Sequence, residues 1–257
     1  MRILMIGDIF GRVGRHMISE YLPKIKQEYQ IDLVLANGEN AAHGKGLTRR
    51  VYEELVFEGI SLISMGNHTY SKSEIYDFID EADRLVVPLN KPRMLPGTGS
   101  RVVEYNGKTI RLTNLLGITF MNGMYDHPFV AMDDLLQHCH EDIHILDFHA
   151  EATSEKIAMG YYLDGRVSAV LGTHTHVQTA DETILEKGTA YITDIGMTGP
   201  AKSVIGCEVN SILKKMTTAQ AGRFEVALGK GIFCGVILDF DDLTNQIKNI
   251  SRIQIRE

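Results

Sequence analysis

Short apolar runs alternate along the chain with longer segments in which apolar residues recur at helical spacing. The apolar runs that predict buried strands are Ile3–Ile6, Leu33–Ala36, Ser61–Met65, Ile143–Phe148, Val167–Leu171 and Tyr191–Ile195. Apolar runs of this length, bounded by glycine or polar residues, are typical of buried strands. Because they alternate with predicted helices, the pattern indicates an α/β fold with a central sheet that is mainly parallel.

Helical spacing predicts four helices between and after these strands. They cover Met17–Tyr29, Ser71–Ile79, Ser154–Asp164 and a shorter segment near Val209–Met216. Pro23 lies inside the first helix and predicts a bend or a shortened end, because proline removes a helical hydrogen bond. The second helix begins with Ser71-Lys-Ser-Glu74, the spacing of a capping box.

From residue 223 onward the pattern changes to strands with short connections. The strand-like segments are Arg223–Leu228, Ile232–Phe240 and Ile247–Ile255. The connections are too short for crossover helices, so we expect antiparallel pairing here. Residues 196–222 are mostly loop and would form either a small cap or an oligomerisation segment. We expect residues 1–257 to form one domain.

Composition limits the class of protein. With 257 residues and 44% hydrophobic side chains, the chain can bury a substantial core. Its 33 acidic residues exceed its 26 lysines and arginines by seven, which argues against a protein that coats duplex nucleic acid or anionic lipid. Three scattered cysteines form no disulfide framework and predict a reducing cytoplasm. No apolar run approaches the roughly 18 residues of a membrane span.

Polar residues gather where the predicted strands end. The strand ends are followed by Gly7-Asp8, Asn37-Gly38-Glu39-Asn40, Gly66-Asn67-His68, Asp147-Phe148-His149-Ala150-Glu151 and Gly172-Thr173-His174-Thr175-His176. Ligands of parallel sheets bind outside the carboxyl ends of strands, so these side chains should meet at one edge. Each motif alone has an ordinary explanation, such as a turn or a core histidine. Their recurrence at five strand ends indicates a metal site.

The donor types narrow the chemistry of that site. The candidate ligands are Asp8, Glu39, Asn40, Asn67, His149, His174 and His176. Oxygen and imidazole donors without a thiolate suit iron, manganese, zinc or cobalt. The set is too large for one tetrahedral ion and predicts two ions about 3.5–4 Å apart that share a carboxylate. Such a pair is suited to activating hydroxide for attack on phosphorus.

The same motifs resemble a known family. The order of the motifs resembles that of the calcineurin-like metallophosphoesterase superfamily. In that order they are an Asp, an acidic segment, Gly-Asn-His, a lone His and a final His-x-His. Within it, the segments GDIFGRVGR, NGENAAHGKGLT, GNHTY, DFHAEATSEK and GTHTHVQTAD resemble the YmdB-like cyclic-nucleotide phosphodiesterases. The chain departs from the superfamily at two positions. It has Phe10 in place of the His of the superfamily's Asp-x-His motif, and Glu39 in place of the superfamily's bridging Asp. The YmdB-like branch shares both departures. The resemblance implies a β-sandwich of mixed sheets flanked by helices.

The resemblance also implies a dinuclear site and a substrate class. Asp8, Glu39, Asn40 and His176 would hold one metal, and Glu39, Asn67, His149 and His174 the other, with Glu39 bridging. A bridging water would be the nucleophile and His68 the general acid. The implied metals are iron, as Fe²⁺ or Fe³⁺, and Mn²⁺. The implied substrates are 2′,3′-cyclic nucleotides such as 2′,3′-cAMP, with activity extending to 3′,5′-cyclic nucleotides, and the implied assembly is a homo-oligomer.

Several alternatives stay open from the sequence. A regulatory protein of RNA metabolism could use the same site to bind a nucleotide or an RNA-processing protein with little turnover, and a mononuclear metallohydrolase could act on amides. Arg12 and Arg15 are candidates for phosphate contact or else lie on a solvated helix face. The loop containing His43 would either fold over substrate or be an ordinary exposed loop. For the cluster His138-Cys139-His140 with His144, a solvated helix end is the favoured interpretation.

Overall fold

The computed structural model describes residues 1–218 and 225–257. The strands are β1 (Arg2–Ile6), β2 (Asp8–Ile9), β3 (Leu33–Asn37), β4 (Leu62–Ser64), β5 (Leu85–Val86), β6 (Ser100–Tyr105), β7 (Lys108–Leu116), β8 (Ile143–His149), β9 (Ala169–Thr173), β10 (Thr183–Ile184), β11 (Ala190–Ile192), β12 (Met197–Pro200), β13 (Gly231–Phe240) and β14 (Ile247–Arg256). The helices are α1 (Gly11–Tyr29), α2 (Arg49–Phe57), α3 (Pro128–Leu136), α4 (Thr153–Tyr162) and α5 (Val209–Thr218), and a 3-10 helix covers Ser73–Asp77.

The strands form two mixed sheets. Within the described residues, the first sheet has the order β2-β12-β13-β1-β3-β4-β5, with β14 beside β13, and the second has the order β10-β11-β9-β8-β7-β6. Strands β1, β3 and β4 run parallel in the first sheet, as do β7, β8 and β9 in the second. Strand β13 pairs antiparallel with both β1 and β14, which confirms the antiparallel prediction for these two segments. The predicted β-sandwich of mixed sheets flanked by helices is confirmed.

Alternation along the strands builds three apolar layers. In β1, Ile3 and Met5 face the second sheet, while Leu4 and Ile6 face the helices on the outer side. The layer between the sheets draws residues from both of them, including Leu35 and Ile145. Because strand side chains alternate between faces, a continuous apolar run serves both layers at once. The two sheets therefore hold each other at a fixed separation and bring their strand ends together.

Helix α1 continues through its proline without ending. Pro23 lies inside the helix, and Met17, Ile18 and Leu22 are buried against the first sheet. The helix ends at Tyr29, because Gln30 adopts a left-handed conformation with φ 52°. The burial of this apolar stripe compensates for the hydrogen bond that Pro23 cannot donate.

The predicted helix at residues 71–79 is wrong. Only a 3-10 helix forms, at Ser73–Asp77. The Glu74 carboxylate does not cap this segment but accepts a hydrogen bond of 3.0 Å from the backbone N–H of Arg49. The spacing of a capping box is present in the sequence, but its acidic residue, Glu74, bonds the distant Arg49 instead of the start of its own helix.

Two strand predictions also need correction. The hairpin of β6 and β7 was not predicted, although its Asn106-Gly107 turn is a typical two-residue hairpin signal. The predicted strand Arg223–Leu228 does not form in its described part, where Val226 makes an isolated bridge to Cys207. Residues 223 and 224 lie outside the described residues. The remaining predicted strands are present with shifts of up to three residues at their ends.

Residues 196–218 belong partly to the first sheet. Strand β12 pairs with β2 and β13, and helix α5 follows after a loop. Residues 219–222 lie outside the described residues, so the role of the segment as cap or oligomerisation element stays a prediction. His138 and His140 are exposed, but His144 is buried within β8, which corrects the prediction for that residue. None of the helices described is long and apolar enough to cross a membrane.

Candidate metal centre

The carboxyl ends of strands from both sheets meet at one edge of the sandwich. Asp8 lies in β2, Glu39 and Asn40 follow β3, Asn67 and His68 follow β4, His149 ends β8, and His174 and His176 follow β9. Among the candidate metal ligands, those with oxygen donors come from the first sheet and those with imidazole donors come from the second sheet. The structure brings together residues that are more than 160 positions apart, since the backbone N–H of His174 donates to Asp8 Oδ2 over 3.2 Å.

His149 lies at the centre of the cluster and is fully buried. Its Nε2 lies 3.0 Å from Asn67 Oδ1, 3.2 Å from Glu39 Oε1 and 3.0 Å from His174 Nδ1. Ligand atoms of Glu39, His149 and His174 all lie within 4.8 Å of one another, the one such group found among the described residues. The atoms that converge here are mainly hydrogen-bond acceptors, so a cation between them is stabilising.

A second set of acceptors lies beside the first. His176 Nδ1 lies 2.9 Å from the Ile205 carbonyl, which can only accept, so this nitrogen carries the proton. Nε2 of the neutral ring therefore turns its lone pair toward Asn40 Oδ1, 3.2 Å away. Among the described residues, the buried Asp8 Oδ1 has no hydrogen-bond partner. These orphaned acceptors fit a metal ion, because oxygen and imidazole lone pairs are the donors that such ions bind.

Burial and mutual contact shift the pKa values of these groups in opposite directions. Burial raises the pKa of Asp8 to about 6. Burial opposes ionisation of Glu39 as well, but the neighbouring His149 outweighs it and lowers the pKa of Glu39 to about 2. Burial disfavours protonated His149, yet Glu39 and Asp8 raise its pKa to about 9. Burial and the adjacent His149 lower the pKa of His174 to about 3. The cluster therefore favours a single concentrated positive charge at its centre.

Glycine allows the ligand loops to approach this closely. A Cβ on Gly66 would lie 2.4 Å from Glu39 Oε2 and 2.5 Å from His149 Nε2. A Cβ on Gly7 would lie 2.0 Å from the carbonyl oxygen of Gly196, where β2 enters beside β12. A larger residue at position 66 would displace the ligands Glu39 and His149, and one at position 7 would push the chain that leads to Asp8 away from Gly196.

Buried side chains behind the ligands hold them in place, and sequence reasoning missed them. Asp147 is fully buried and accepts hydrogen bonds from Asn37 Nδ2 over 2.8 Å, from Thr173 Oγ1 over 2.6 Å and from Ser64 Oγ. Asn37 Oδ1 also accepts the backbone N–H of Glu39 over 3.1 Å. One carboxylate thereby links the loop of Glu39 to strand β9. The signal in the sequence was a charged residue at an interior position of an apolar strand.

A second buried carboxylate supports the His174-Thr175-His176 segment. Asp194 accepts hydrogen bonds from the N–H and the hydroxyl of Thr175, over 3.0 and 2.7 Å, and pairs with Lys156 Nζ over 2.8 Å. His174 and His176 both have positive φ angles, 98° and 66°. Left-handed backbone at non-glycine residues is costly, so anchoring Thr175 at the centre of the segment keeps both rings aimed at the cluster.

The cluster opens into a cleft of about 540 Å³. Its lining includes Glu39, Asn40, His68, His174 and His176. Around them lie Phe10, His43, Lys45, Ser71, Lys72, Glu151, Ile205, Cys207 and Val226. His68 is half-buried, and burial lowers the pKa of its ring. Its backbone N–H donates to Glu39 Oε2 over 2.9 Å, which ties this residue to the metal ligands.

Only one of the three predicted substrate contacts lies at the cleft. His43 lines the cleft, but Arg12 and Arg15 do not. Arg12 is exposed on α1, and Arg15 donates to Glu54 Oε1 over 2.8 Å and to the Ala41 carbonyl over 2.7 Å. Arg15 thus bonds the loop that follows β3 from outside the cleft, and phosphate contact by Arg12 or Arg15 stays a prediction that neither position supports. The cations of the cleft are Lys45 and Lys72, which the sequence analysis did not select.

Comparison with known proteins adds independent findings. The family model described as YmdB-like protein matches residues 4–253. The chain is 51% identical over 259 residues to 2′,3′-cyclic-nucleotide 2′-phosphodiesterase of Bacillus subtilis, covering 100% of this chain and 98% of that relative. A crystal structure of a novel phosphatase from Mycoplasma pneumoniae is 39% identical, with a TM-score of 0.95 over 100% of this chain and 93% of that one.

A more distant structure shares the fold alone. NAD nucleotidase of Haemophilus influenzae is 14% identical, with a TM-score of 0.57, and the match covers 100% of this chain and 56% of the nucleotidase. The architecture described above is therefore common to proteins whose sequences have diverged widely.

Proposed function

Because this chain belongs to the YmdB-like protein family, we propose that it is a metal-dependent phosphodiesterase that hydrolyses 2′,3′-cyclic nucleotides. The observation that carries the proposal is the convergence of oxygen and imidazole acceptors around the buried His149, beside a cleft that Glu39 and His174 line. A phosphodiester bound there would meet the metal ligands and His68 together. The name of the B. subtilis relative supports the substrate class.

Two groups of residues would hold two metal ions. Asp8, Glu39, Asn40 and His176 would form one group, and Glu39, Asn67, His149 and His174 the other. The position of Glu39, whose Oε1 lies near His149 and whose Oε2 accepts from His68, supports a shared carboxylate. Bound ions would supply Lewis acidity at the phosphate and lower the pKa of a water molecule. The donors suit iron, manganese, zinc or cobalt, and the family resemblance makes iron and Mn²⁺ our candidates among them.

His68 is the proposed general acid. Its ring is half-buried in the cleft, and its Nδ1 lies 3.3 Å from Ser71 Oγ. Hydrolysis adds a water oxygen to phosphorus, breaks the bond from phosphorus to O2′ and leaves a 3′-monophosphate. The leaving O2′ needs a proton, which a protonated imidazole in the cleft can donate. One proton of the water restores protonated His68, and the other is released to solvent.

The shape of the cleft supports a nucleotide as the group that carries the phosphate. Phe10, Ile205 and Val226 form an apolar part of its lining, and Phe10 packs edge-to-face on His176 with ring centroids 5.6 Å apart. An apolar wall beside polar groups is usual for sites that bind small organic ligands. The proposal extends to 3′,5′-cyclic nucleotides, whose hydrolysis breaks the same type of bond. A cytoplasmic location, a homo-oligomer and an RNA-processing partner stay predictions.

Turnover tests this function. Protein loaded with Mn²⁺ or Fe²⁺ should convert 2′,3′-cAMP to 3′-AMP, and chelation of the metal should abolish the reaction. His68→Ala should lower kcat by about 100-fold or more, since general acids contribute on this scale. His16→Ala is a matched control, because His16 lies on the exposed face of α1 and does not line the cleft.

The outcomes separate the alternatives. If metal-loaded protein binds 2′,3′-cAMP without turnover, the chain acts as a regulatory binding protein and the proposed enzyme is wrong. If His68→Ala turns over normally, a different group supplies the proton. One bound ion per chain, together with an Asn67→Ala variant that behaves as wild type, would favour a mononuclear hydrolase.

A further inference from the structure

Two lysines without an ion pair line the cleft. Within the part of the chain that the structure describes, no carboxylate pairs with Lys45 or Lys72, whereas Lys156 pairs with Asp194 and Lys24 with Glu20. Lys72 is half-buried, so its charge is partly removed from solvent. Two lysines whose charge no carboxylate compensates thus line one cleft, although the net charge of the chain is −7. They create a positive potential beside the metal centre.

The loop that carries Lys45 is built to stay in place. His43, Gly44 and Gly46 have positive φ angles of 59°, 82° and 72°. Asn40 holds the loop at its base, since its Nδ2 donates to the Gly44 carbonyl over 3.1 Å and its carbonyl accepts the N–H of Gly44 over 3.1 Å. A metal-ligand candidate and the cationic loop are therefore one connected unit.

Lys72 packs against the loop that carries Lys45. A Cβ on Gly46 would lie 2.8 Å from Lys72 Cγ and 3.4 Å from the carbonyl oxygen of His68. The aliphatic stem of Lys72 therefore lies directly against the loop, next to the proposed general acid. Lys45 and Lys72 therefore form one wall of the cleft, on the side where His68 lies.

Of the two acidic residues that line the cleft, Glu39 is a metal-ligand candidate and Glu151 belongs to a different wall from the lysines. Glu151 follows β8 in the second sheet, and its Oε2 lies 3.1 Å from His174 Nε2. Lys45 and Lys72 follow β3 and β4 in the first sheet. The two lysines thus keep their charge available for a ligand. The reacting phosphodiester carries one negative charge and already faces the metal centre, so the lysine wall requires another anion.

We infer that the substrate carries a second phosphate, attached to O5′ of the nucleotide whose 2′,3′-cyclic phosphate reacts, and that Lys45 and Lys72 bind it. The inference rests on the proposed function. Both O2′ and O3′ belong to the reacting ring, so O5′ is the only ribose hydroxyl oxygen left to carry another phosphate. That phosphate is either a terminal 5′-monophosphate or the phosphodiester that joins the last nucleotide to an RNA chain.

Binding of the corresponding products tests the second phosphate without requiring turnover. Isothermal titration calorimetry of Mn²⁺-loaded protein should show adenosine 3′,5′-bisphosphate binding about tenfold or more tightly than adenosine 3′-monophosphate. Lys45→Met combined with Lys72→Met should bring this affinity ratio toward one. Lys24→Met, on the exposed face of α1, is the matched control and should keep the wild-type ratio. Equal affinity for both nucleotides in the wild-type protein would overturn the inference.

Kinetics identify the source of the phosphate. The substrates to compare are 2′,3′-cAMP, its 5′-phosphorylated form and an ApA dinucleotide that ends in a 2′,3′-cyclic phosphate. A higher kcat/KM for the 5′-phosphorylated mononucleotide alone would assign a terminal phosphate, and a higher value for the dinucleotide alone would assign an RNA end. Values equal to that of 2′,3′-cAMP for both compounds would overturn the inference. Absence of turnover with all three, alongside an affinity ratio of tenfold, would refute the proposed enzyme and leave the second phosphate site standing.

Discussion

His149 Nδ1 lies 2.9 Å from Thr173 Oγ1, and the same hydroxyl oxygen lies 2.6 Å from Asp147 Oδ1. A carboxylate only accepts hydrogen bonds, so the single hydroxyl proton of Thr173 points to Asp147. Thr173 Oγ1 therefore accepts the proton of His149 Nδ1. When the ring is neutral, as a metal ligand must be, the proton is held at Nδ1 and the lone pair of Nε2 faces Glu39.

Replacing Thr173 should weaken metal binding. Thr173→Val keeps the shape of the side chain but removes the acceptor for His149 Nδ1–H, so we expect Mn²⁺ affinity to fall about 10–100-fold. Thr173→Ser retains the hydroxyl and should bind Mn²⁺ nearly as the wild type does. Calorimetric titration with Mn²⁺ measures both variants. Wild-type affinity in Thr173→Val would show that the hydroxyl does not orient the ring.

Adding a methyl group at Gly66 should disrupt the metal centre more than the fold. The new Cβ would lie within about 2.5 Å of Glu39 Oε2 and His149 Nε2, and both are side-chain atoms that can move. We therefore expect Gly66→Ala to lose most of its Mn²⁺ binding while the thermal unfolding midpoint of the metal-free protein changes by a few degrees. A variant that binds Mn²⁺ normally would contradict this account of the glycine.

The buried ion pair of Lys156 and Asp194 should contribute strongly to stability. Lys156 is 1% exposed and Asp194 is fully buried, so Lys156→Met leaves a buried carboxylate without its cation. We expect the free energy of unfolding in urea to fall by about 3–5 kcal/mol. Asp194→Asn combined with Lys156→Met should cost less than the sum of the single changes, because both remove the same interaction. Additive costs would show that the pair is not coupled.

His144 should make stability depend on pH. Burial, aided by Arg111 and opposed by Glu141, lowers the pKa of this ring from 6.5 to about 4. Between these values the unfolded chain binds the proton and the folded protein does not, so stability is complete above pH 6.5 and declines as the pH falls toward 4. The decline from this residue is at most about 3 kcal/mol.

A variant isolates this contribution. His144→Gln keeps a polar side chain next to Thr113, whose Oγ1 lies 2.8 Å from His144 Nε2, but it does not titrate. Urea unfolding at pH 4.5 and pH 7 should show a smaller difference in stability for the variant than for the wild-type protein. The same difference in both proteins would assign the acid sensitivity to other groups.

Local sequence patterns predicted much of the fold. Continuous apolar runs identified β1, β3, β4 and β8, because strands buried on both faces need apolar residues at consecutive positions. Patterns failed where distant residues intervene. The capping box at Ser71 was overridden when Glu74 bonded the start of α2. The sequence left open whether Arg15 contacts phosphate, and the structure pairs it with Glu54, which lies 39 positions away.

The sequence by itself determined which chemistry is present at the strand ends, because Asp8, Glu39 and His149 each follow directly from a local strand pattern. Only the tertiary structure decided how these groups act together. The contact of Asn37 with Asp147 spans 110 positions, and that of Lys156 with Asp194 spans 38. The first pair depends on the packing of one sheet on the other, and the second depends on the packing of α4 beside the second sheet; no local pattern encodes either. The convergence of donor atoms from both sheets around His149 arises from such tertiary packing.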